Sequence, residues 1–167
     1  MRISFATVTV TLCLIGTPAL TQAQARKPGL WEITTNMTWQ QSPFPPGMGG
    51  AHSPFGNGSR TTQACITQAL IDKSGGMVQQ GRQCQVTNLI KKSDSFSADL
   101  VCSGSFSGKG SIQATWTDDE HATSKTRFVG SMQMGSDSKP IEWTSESISV
   151  FKGSDCGSVT PIQIPDK

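Results

Sequence analysis

The sequence of 167 residues predicts a mainly β protein. The expected architecture is an antiparallel meander of about six strands forming a strongly bent sheet or open barrel, with one short helix and two disulfides. Three observations carry this reading. Several stretches alternate apolar and polar residues with a period of two, the signature of a half-buried strand. Turn signals recur about every 8 to 15 residues. Four cysteines remain after a leader-like N terminus, an even count that reads as two bridges.

The leader is read at residues 1–25. Met1-Arg2 is a short basic start, Ile3 to Ile15 is mostly apolar, and Ala23-Gln24-Ala25 is a small-residue cleavage site. The apolar run is too short to span a bilayer and is broken at Gly16-Thr17-Pro18, so a signal peptide fits better than a membrane helix. Cys13 follows Leu12 within the apolar run, which speaks against lipidation. The expected consequences are a periplasmic or secreted protein and no stable membrane insertion after cleavage. Residues 26–160 then form a single β domain, and residues 161–167 a flexible tail.

Without Arg2, the chain carries 13 Lys and Arg against 12 Asp and Glu. That balance gives no electrostatic case for a nucleic acid or an anionic membrane as partner.

The first strand organises the rest. In Trp31-Glu32-Ile33-Thr34-Thr35-Asn36-Met37-Thr38-Trp39 the odd positions share one face and the even positions the other, after punctuation by Pro28-Gly29. The proline and glycine density of residues 42–59 forbids a regular element, leaving either a passive loop or a lid that closes with Phe44, Met48, His52 and Phe55. Thr61 to Ile66 is a short extended piece, and Thr67 caps a helix of one or two turns that stops at Ser74-Gly75-Gly76. Gln83 to Ile90 and Ser95 to Cys102 form a hairpin.

In the next strand Ile112, Ala114 and Trp116 face inward, and the glycines of Gly104 to Gly110 mark a bulge or sharp bend. Thr123 to Met134 returns with Phe128, Gly130, Met132 and Met134 on one face. The last strand, Ile141 to Phe151, changes parity between Trp143 and Ile148, which calls for a bulge near Ser145 to Ser147. Four cysteines allow three connectivities. The expected one joins Cys65 to Cys84 around the helix and Cys102 to Cys156, with Cys84 opposite Cys102 across the hairpin as the rival.

Chemistry-bearing patterns are scarce. No G-x-S-x-G occurs, the histidines His52 and His121 lie in turn or loop sequence, and Gly104 to Gly110 lacks the lysine-serine ending of a phosphate loop. No C-x-x-C supports zinc. Met37, Met48, Met77, Met132 and Met134 with His52 would suit Cu(I), but methionine as core filler is the plainer reading. The expectation is a protein without cofactor or metal and not an enzyme.

Several motifs in order form a recognisable series: Lys27-Pro28-Gly29-Leu30-Trp31-Glu32-Ile33-Thr34-Thr35, Gln63-Ala64-Cys65-Ile66-Thr67 before the helix, Cys84-Gln85-Val86, the Gly108-Lys109-Gly110 strand, Gly130-Ser131-Met132-Gln133-Met134, and Gly153-Ser154-Asp155-Cys156. This series resembles the domain-of-unknown-function 3617 family of small exported proteobacterial proteins, across nearly the whole chain after the leader. The loop at Ser42 to Ser59 is longer than that family usually carries. The resemblance implies a bacterial periplasmic β protein; it carries no activity and no catalytic residues.

Two functional expectations follow. The first is a non-catalytic binding module whose concave sheet face, lined by Trp31, Ile33, Trp116, Phe128, Met132 and Trp143, takes a small apolar or amphiphilic molecule. The plainer reading of those six side chains is a closed core. The second is an envelope protein that engages another protein through sheet edges and the loop.

Overall fold

The computed structural model describes residues 26–45, 56–74 and 83–162. The leader, the middle of the Pro/Gly-rich loop and residues 163–167 of the expected tail lie outside the described residues. The alternation in the N-terminal stretch produces strand β1, Gly29–Gln41. It is followed by β2 (Gly58–Ile66), helix α1 (Gln68–Ser74), β3 (Cys84–Lys91), β4 (Ser95–Cys102), β5 (Phe106–Trp116), β6 (His121–Met134) and β7 (Asp137–Gly153). All seven strands share one antiparallel sheet in the order β2-β1-β7-β6-β5-β4-β3, so β3 to β7 form a meander and β1 is inserted between the last strand and β2.

The seventh strand is β2, read from sequence as a short extended piece. Its first six residues are polar or glycine and form an edge, and burial begins only at Ala64. An edge strand needs no apolar alternation over its exposed half, so the pattern there is silent.

The sheet does not close; β2 and β3 are its edges. Seven strands about 4.8 Å apart would hold these edges roughly 29 Å apart if flat. Yet Lys91 at the end of β3 donates from Nζ to the Asp72 carbonyl at 2.7 Å and to that of Ile71 at 3.4 Å, both in α1, which directly follows β2. The sheet therefore curls until α1 reaches both edges. Thr67 caps this helix as expected, its Oγ1 accepting from the Leu70 N–H at 3.2 Å.

Three sequence expectations change. The disulfides join Cys65 to Cys156 and Cys84 to Cys102, with Cα separations of 5.5 and 4.0 Å, and not 65 to 84 and 102 to 156. The β3–β4 register sets Cys84 directly opposite Cys102. Leu30 of β1 pairs with Cys65 on one side and Gly153 on the other, which brings Cys156 within reach of Cys65. The second change is in β7. Its register with β6 is unbroken from His121↔Val150 to Met134↔Asp137, so there is no bulge at Ser145 to Ser147. From Ile141 to Phe151 the odd positions stay inward, with Ser145 and Ser149 buried, while Ile148 points outward at 60% exposure.

The third concerns the glycines of β5, which cause no bulge, since the register runs continuously through Gly108 and Gly110 to both neighbours. With Gly130 of β6 they let the two strand backbones come close, since a Cβ on Gly108 would first meet the Val129 carbonyl and one on Gly130 the Ser107 carbonyl, and they leave room for the Phe128 ring. A Cβ on Gly108 would stand 2.8 Å from Phe128 Cζ, and one on Gly130 2.9 Å from Phe128 Cε1. At the start of the expected tail, Pro161 bridges to Cys65 and the Ile162 N–H donates to the Cys65 carbonyl at 3.1 Å.

The inward face carries three apolar clusters. Trp31, Ala64, Ile66, Leu70 and Ile71 seat α1, with Ile33, Phe151 and Ile162 around them. Phe96, Ala98, Ala114, Trp116 and Ala122 form the second. Cys84, Cys102, Phe128 and Ile141 form the third, flanked by Trp39, Leu100, Phe106, Met132 and Trp143.

Candidate functional site

The six side chains expected to line a ligand face all belong to inward positions, but the curled sheet distributes them over the three clusters. Trp31 and Ile33 belong to the first, Trp116 to the second, and Phe128, Met132 and Trp143 to the third. Trp31 and Phe128 are fully buried and serve as core, in line with the plainer reading. Only the third cluster gathers several of the six and leaves two of them, Met132 and Trp143, half-buried.

That cluster holds a row of rings across four neighbouring strands. Phe106 of β5 stacks on Phe128 of β6 at 4.7 Å between centroids, and Phe128 stacks on Trp143 of β7 at 5.7 Å, each pair tilted by 18°. Trp143 lies directly opposite Trp39 of β1. Offset stacking of this kind adds to area burial because ring faces and edges carry opposite partial charge. Phe106, Trp143 and Trp39 each remain half-buried. Trp39 and Phe106 were not among the expected site residues. The parity that Trp39 shares with Trp31 would have found it, whereas Phe106 is embedded in serines and glycines that hide its strand.

Next to this row the inward face turns polar. Thr35 of β1, Ser145 and Ser147 of β7, and Ser124 and Thr126 of β6 are brought side by side by the registers Thr35↔Ser147↔Ser124 and Ser145↔Thr126. Thr35 Oγ1 and Ser147 Oγ share a hydrogen bond at 2.8 Å. The belt lies between the ring row and the opposite end of the sheet, where Trp31 and Trp116 stand. On its two sides the indole nitrogens of Trp39 and Trp116 are buried without a hydrogen-bond partner among the described residues. Buried donors are satisfied in most proteins, so two orphaned indoles on one face call for an explanation.

The far end of that face is closed by the first residues described. The Arg26 guanidinium lies 4.4 Å over the Trp31 ring, and burial pushes its pKa down to about 10. Lys27 lies 5.6 Å from the Phe151 ring and binds Asp119 at 2.9 Å and Glu120 at 2.8 Å; these hydrogen bonds hold its pKa above the usual lysine value. The Trp31 indole donates to the Lys27 carbonyl at 2.8 Å.

The outward face is of another kind. A shallow cleft of about 480 Å³ crosses it between Asn36, Thr38, Gln113, Lys125, Arg127 and Glu146. None of the six expected residues lines this cleft, and it has no aromatic wall. Its charges are paired across strands, Lys125 with Glu146 at 2.8 Å and Arg127 with Glu142 at 2.7 Å. The hydrogen bond to Glu146 raises the Lys125 pKa. His121 hydrogen-bonds Asp118 at 2.9 Å on an exposed turn, where the Asp118 carboxylate also accepts from the Glu120 N–H at 2.8 Å. The bond from Glu120 and then that from His121 hold the Asp118 pKa below the usual carboxylate range. Among the described residues no group of three or more His, Cys, Asp and Glu side chains could hold a metal ion. Of the expected lid residues, Phe44 is half-buried, while Met48, His52 and Phe55 lie outside the described residues.

A family described as "Protein of unknown function (DUF3617)" matches residues 26–156. The chain belongs to the DUF3617 family. In this DUF3617 protein the matched span runs from the arginine over Trp31 to the last cysteine of the Cys65–Cys156 bridge, so it takes in all seven strands and both disulfides. No curated protein and no solved structure matches the chain.

Proposed function

We propose that this DUF3617 protein is a small non-catalytic binding module that holds an amphiphilic molecule on its inward face, in the periplasm or outside the cell. The apolar part of the ligand lies along Phe106, Trp143 and Trp39, and its polar group meets the belt of Thr35, Ser145 and Ser147. The observation that carries this reading is the buried indole N–H of Trp39, at the junction of ring row and belt, which has no hydrogen-bond partner among the described residues. A ligand acceptor there would satisfy it, and small-ligand sites combine an apolar wall with a few placed polar groups in this way. A non-catalytic role is supported by the surroundings of the hydroxyls. Thr35 and Ser147 bond to one another, and His121 is committed to Asp118 on an outward strand position. Two disulfides suit an oxidising compartment, and among the described residues no helix is long and apolar enough to cross a membrane.

The test is titration of the purified protein with a twelve-carbon lysophospholipid, followed by tryptophan fluorescence and native mass spectrometry. Saturable one-to-one binding that Trp143→Ala abolishes, with the fold retained, is the expected result. Binding that is absent, or unchanged in Trp143→Ala, overturns the assignment of ligand class and site.

A further inference from the structure

The two edges of the sheet are built differently. The β3 edge is guarded: its register with β4 shifts between Thr87 and Ile90, and Asn88 within that shift adopts φ 51°. The Asn88 side chain is tied to Asp99 at 2.7 Å, and Lys91 at the strand's end is engaged by α1. Bulges and lysines at an edge are recognised means of preventing another strand from docking. The β2 edge has no such device. Its register with β1 is unbroken from Gly29↔Ile66 to Met37↔Gly58, and the strand contains no proline or lysine.

One end of this edge already accepts an extended segment. Pro161 bridges to Cys65 in parallel and the Ile162 N–H donates to the Cys65 carbonyl, so the outward backbone groups of β2 are presented in pairing geometry. Among the described residues that segment covers the buried end alone. Ser59, Arg60, Thr61, Thr62 and Gln63 are all exposed.

We propose that Ser59–Gln63 is a docking edge for an extended acidic segment of another protein, which adds an eighth strand beside β2. The charge pattern selects the partner. Arg60 makes no ion pair among the described residues, its cross-strand neighbour is Thr35, and β2 contains no acidic residue. Opposite charges directly across a strand pair attract and like charges repel. A carboxylate on the incoming strand opposite Arg60 is therefore favoured. A second copy of β2, docked antiparallel about Thr61, would place the two Arg60 side chains diagonally on the same face, and is disfavoured. Stacking of β2 onto β3 of another copy is blocked by the bulge at Thr87 to Ile90. Main-chain hydrogen bonds then supply affinity, while Arg60 supplies selectivity.

The experiment follows amide shifts of the isotope-labelled chain on addition of a capped nonapeptide of alternating Thr and Val with a central Glu, and of the same peptide with a central Lys. Shifts confined to Gly58–Ala64, saturating with the Glu peptide and about two- to fivefold weaker with the Lys peptide, are expected, since one cross-strand charge pair is a modest term. Arg60→Glu should reverse the preference, and Thr61→Pro should remove binding of both peptides. Shifts at β3 instead, absence of shifts, or indifference to the central charge would each overturn the proposal. Concentration-dependent shifts at Ser59–Gln63 without peptide, with doubled mass, would replace the acidic partner by a second copy and overturn it equally.

Discussion

Strand β1 carries two tryptophans on the same face, and the molecule treats them in opposite ways. Trp31 has no exposed surface: Leu70 and Ile71 of α1 pack over it, Phe151 meets it edge-on at 5.5 Å, Arg26 lies on its ring, and its N–H is satisfied by Lys27. Trp39 faces Trp143, keeps part of its surface, and has a buried N–H without a partner among the described residues. Both positions follow from one alternating pattern; what separates them is what the rest of the chain lays on top. A helix and two cations close one end of the inward face, whereas the other end retains a row of half-buried rings. Identical residues on one strand face can therefore be core at one end and available surface at the other, and sequence periodicity is blind to the difference.

The largest effect expected from breaking this contrast is at the closed end. Cys65–Cys156 spans 91 residues and Cys84–Cys102 spans 18. On the chain-entropy account, replacing the first pair by alanines should cost about 4 to 5 kcal/mol and the second about 3 kcal/mol. Urea melts of the two double variants check the order, and a greater loss from the shorter loop would assign the stability to the hairpin end. Trp31→Ala should follow at about 3 to 5 kcal/mol, from lost transfer energy and a cavity under α1. Trp143→Ala, at a half-buried ring, should cost only about 1 to 2 kcal/mol while eliminating the proposed amphiphile binding. Equal losses in the two alanine variants would erase the distinction between the ends.

A smaller effect sharpens the contrast by pH. Asp118 in the turn that also presents Glu120 to Lys27 has a pKa below the usual carboxylate range, because the Glu120 N–H and His121 bond its charged form. A carboxylate with a lower pKa in the folded state adds stability above its unfolded pKa. That stability is lost as pH falls through the folded value. Asp118→Asn should thus be slightly less stable than the natural chain near neutrality, and the difference should vanish in acid. Melts at pH 7 and in strong acid measure it, and a difference that persists in acid would assign the effect to packing.

Much of the fold was legible because alternation is a direct imprint of a half-buried strand. Trp31 to Trp39, the hairpin ending at Cys102, and the inward set Ile112, Ala114 and Trp116 all appear where periodicity places them. What misled were apolar residues on the wrong face. Ile148 and Val150 suggested a change of parity, yet Ile148 stands outward between Thr34 and Thr123 on its neighbours, where branched side chains pack on the pleat without being buried. The hairpin register already offered Cys84 with Cys102 as the rival pairing; choosing it, and with it Cys65–Cys156, was favoured only by knowing that β1 lies between β2 and β7 and brings those two cysteines together. The candidate site was half legible: Phe128, Met132 and Trp143 do meet, but Trp31 and Trp116 belong to other clusters, and the serines and threonines that give the face its polar band look like ordinary strand filler in sequence.

The insertion of β1 between β2 and β7 sets the order in which this chain can finish folding. Synthesis delivers β1 first and β7 last, while the hairpins of β3 to β6 need only neighbours in sequence and pair without waiting. Until β7 arrives, β1 has only β2 beside it: Ala64, Ile66 and helix α1 can cover Trp31, but the β2 residues opposite Ile33 to Met37 are polar or glycine, so Ile33, Met37 and Trp39 have no apolar strand next to them. Pairing across such a sequence distance is slow, because loop closure must come before its contacts form. The second half of β1 thus waits for the last strand, and during that interval its inward side chains are open to a chaperone, a protease or a wrong partner.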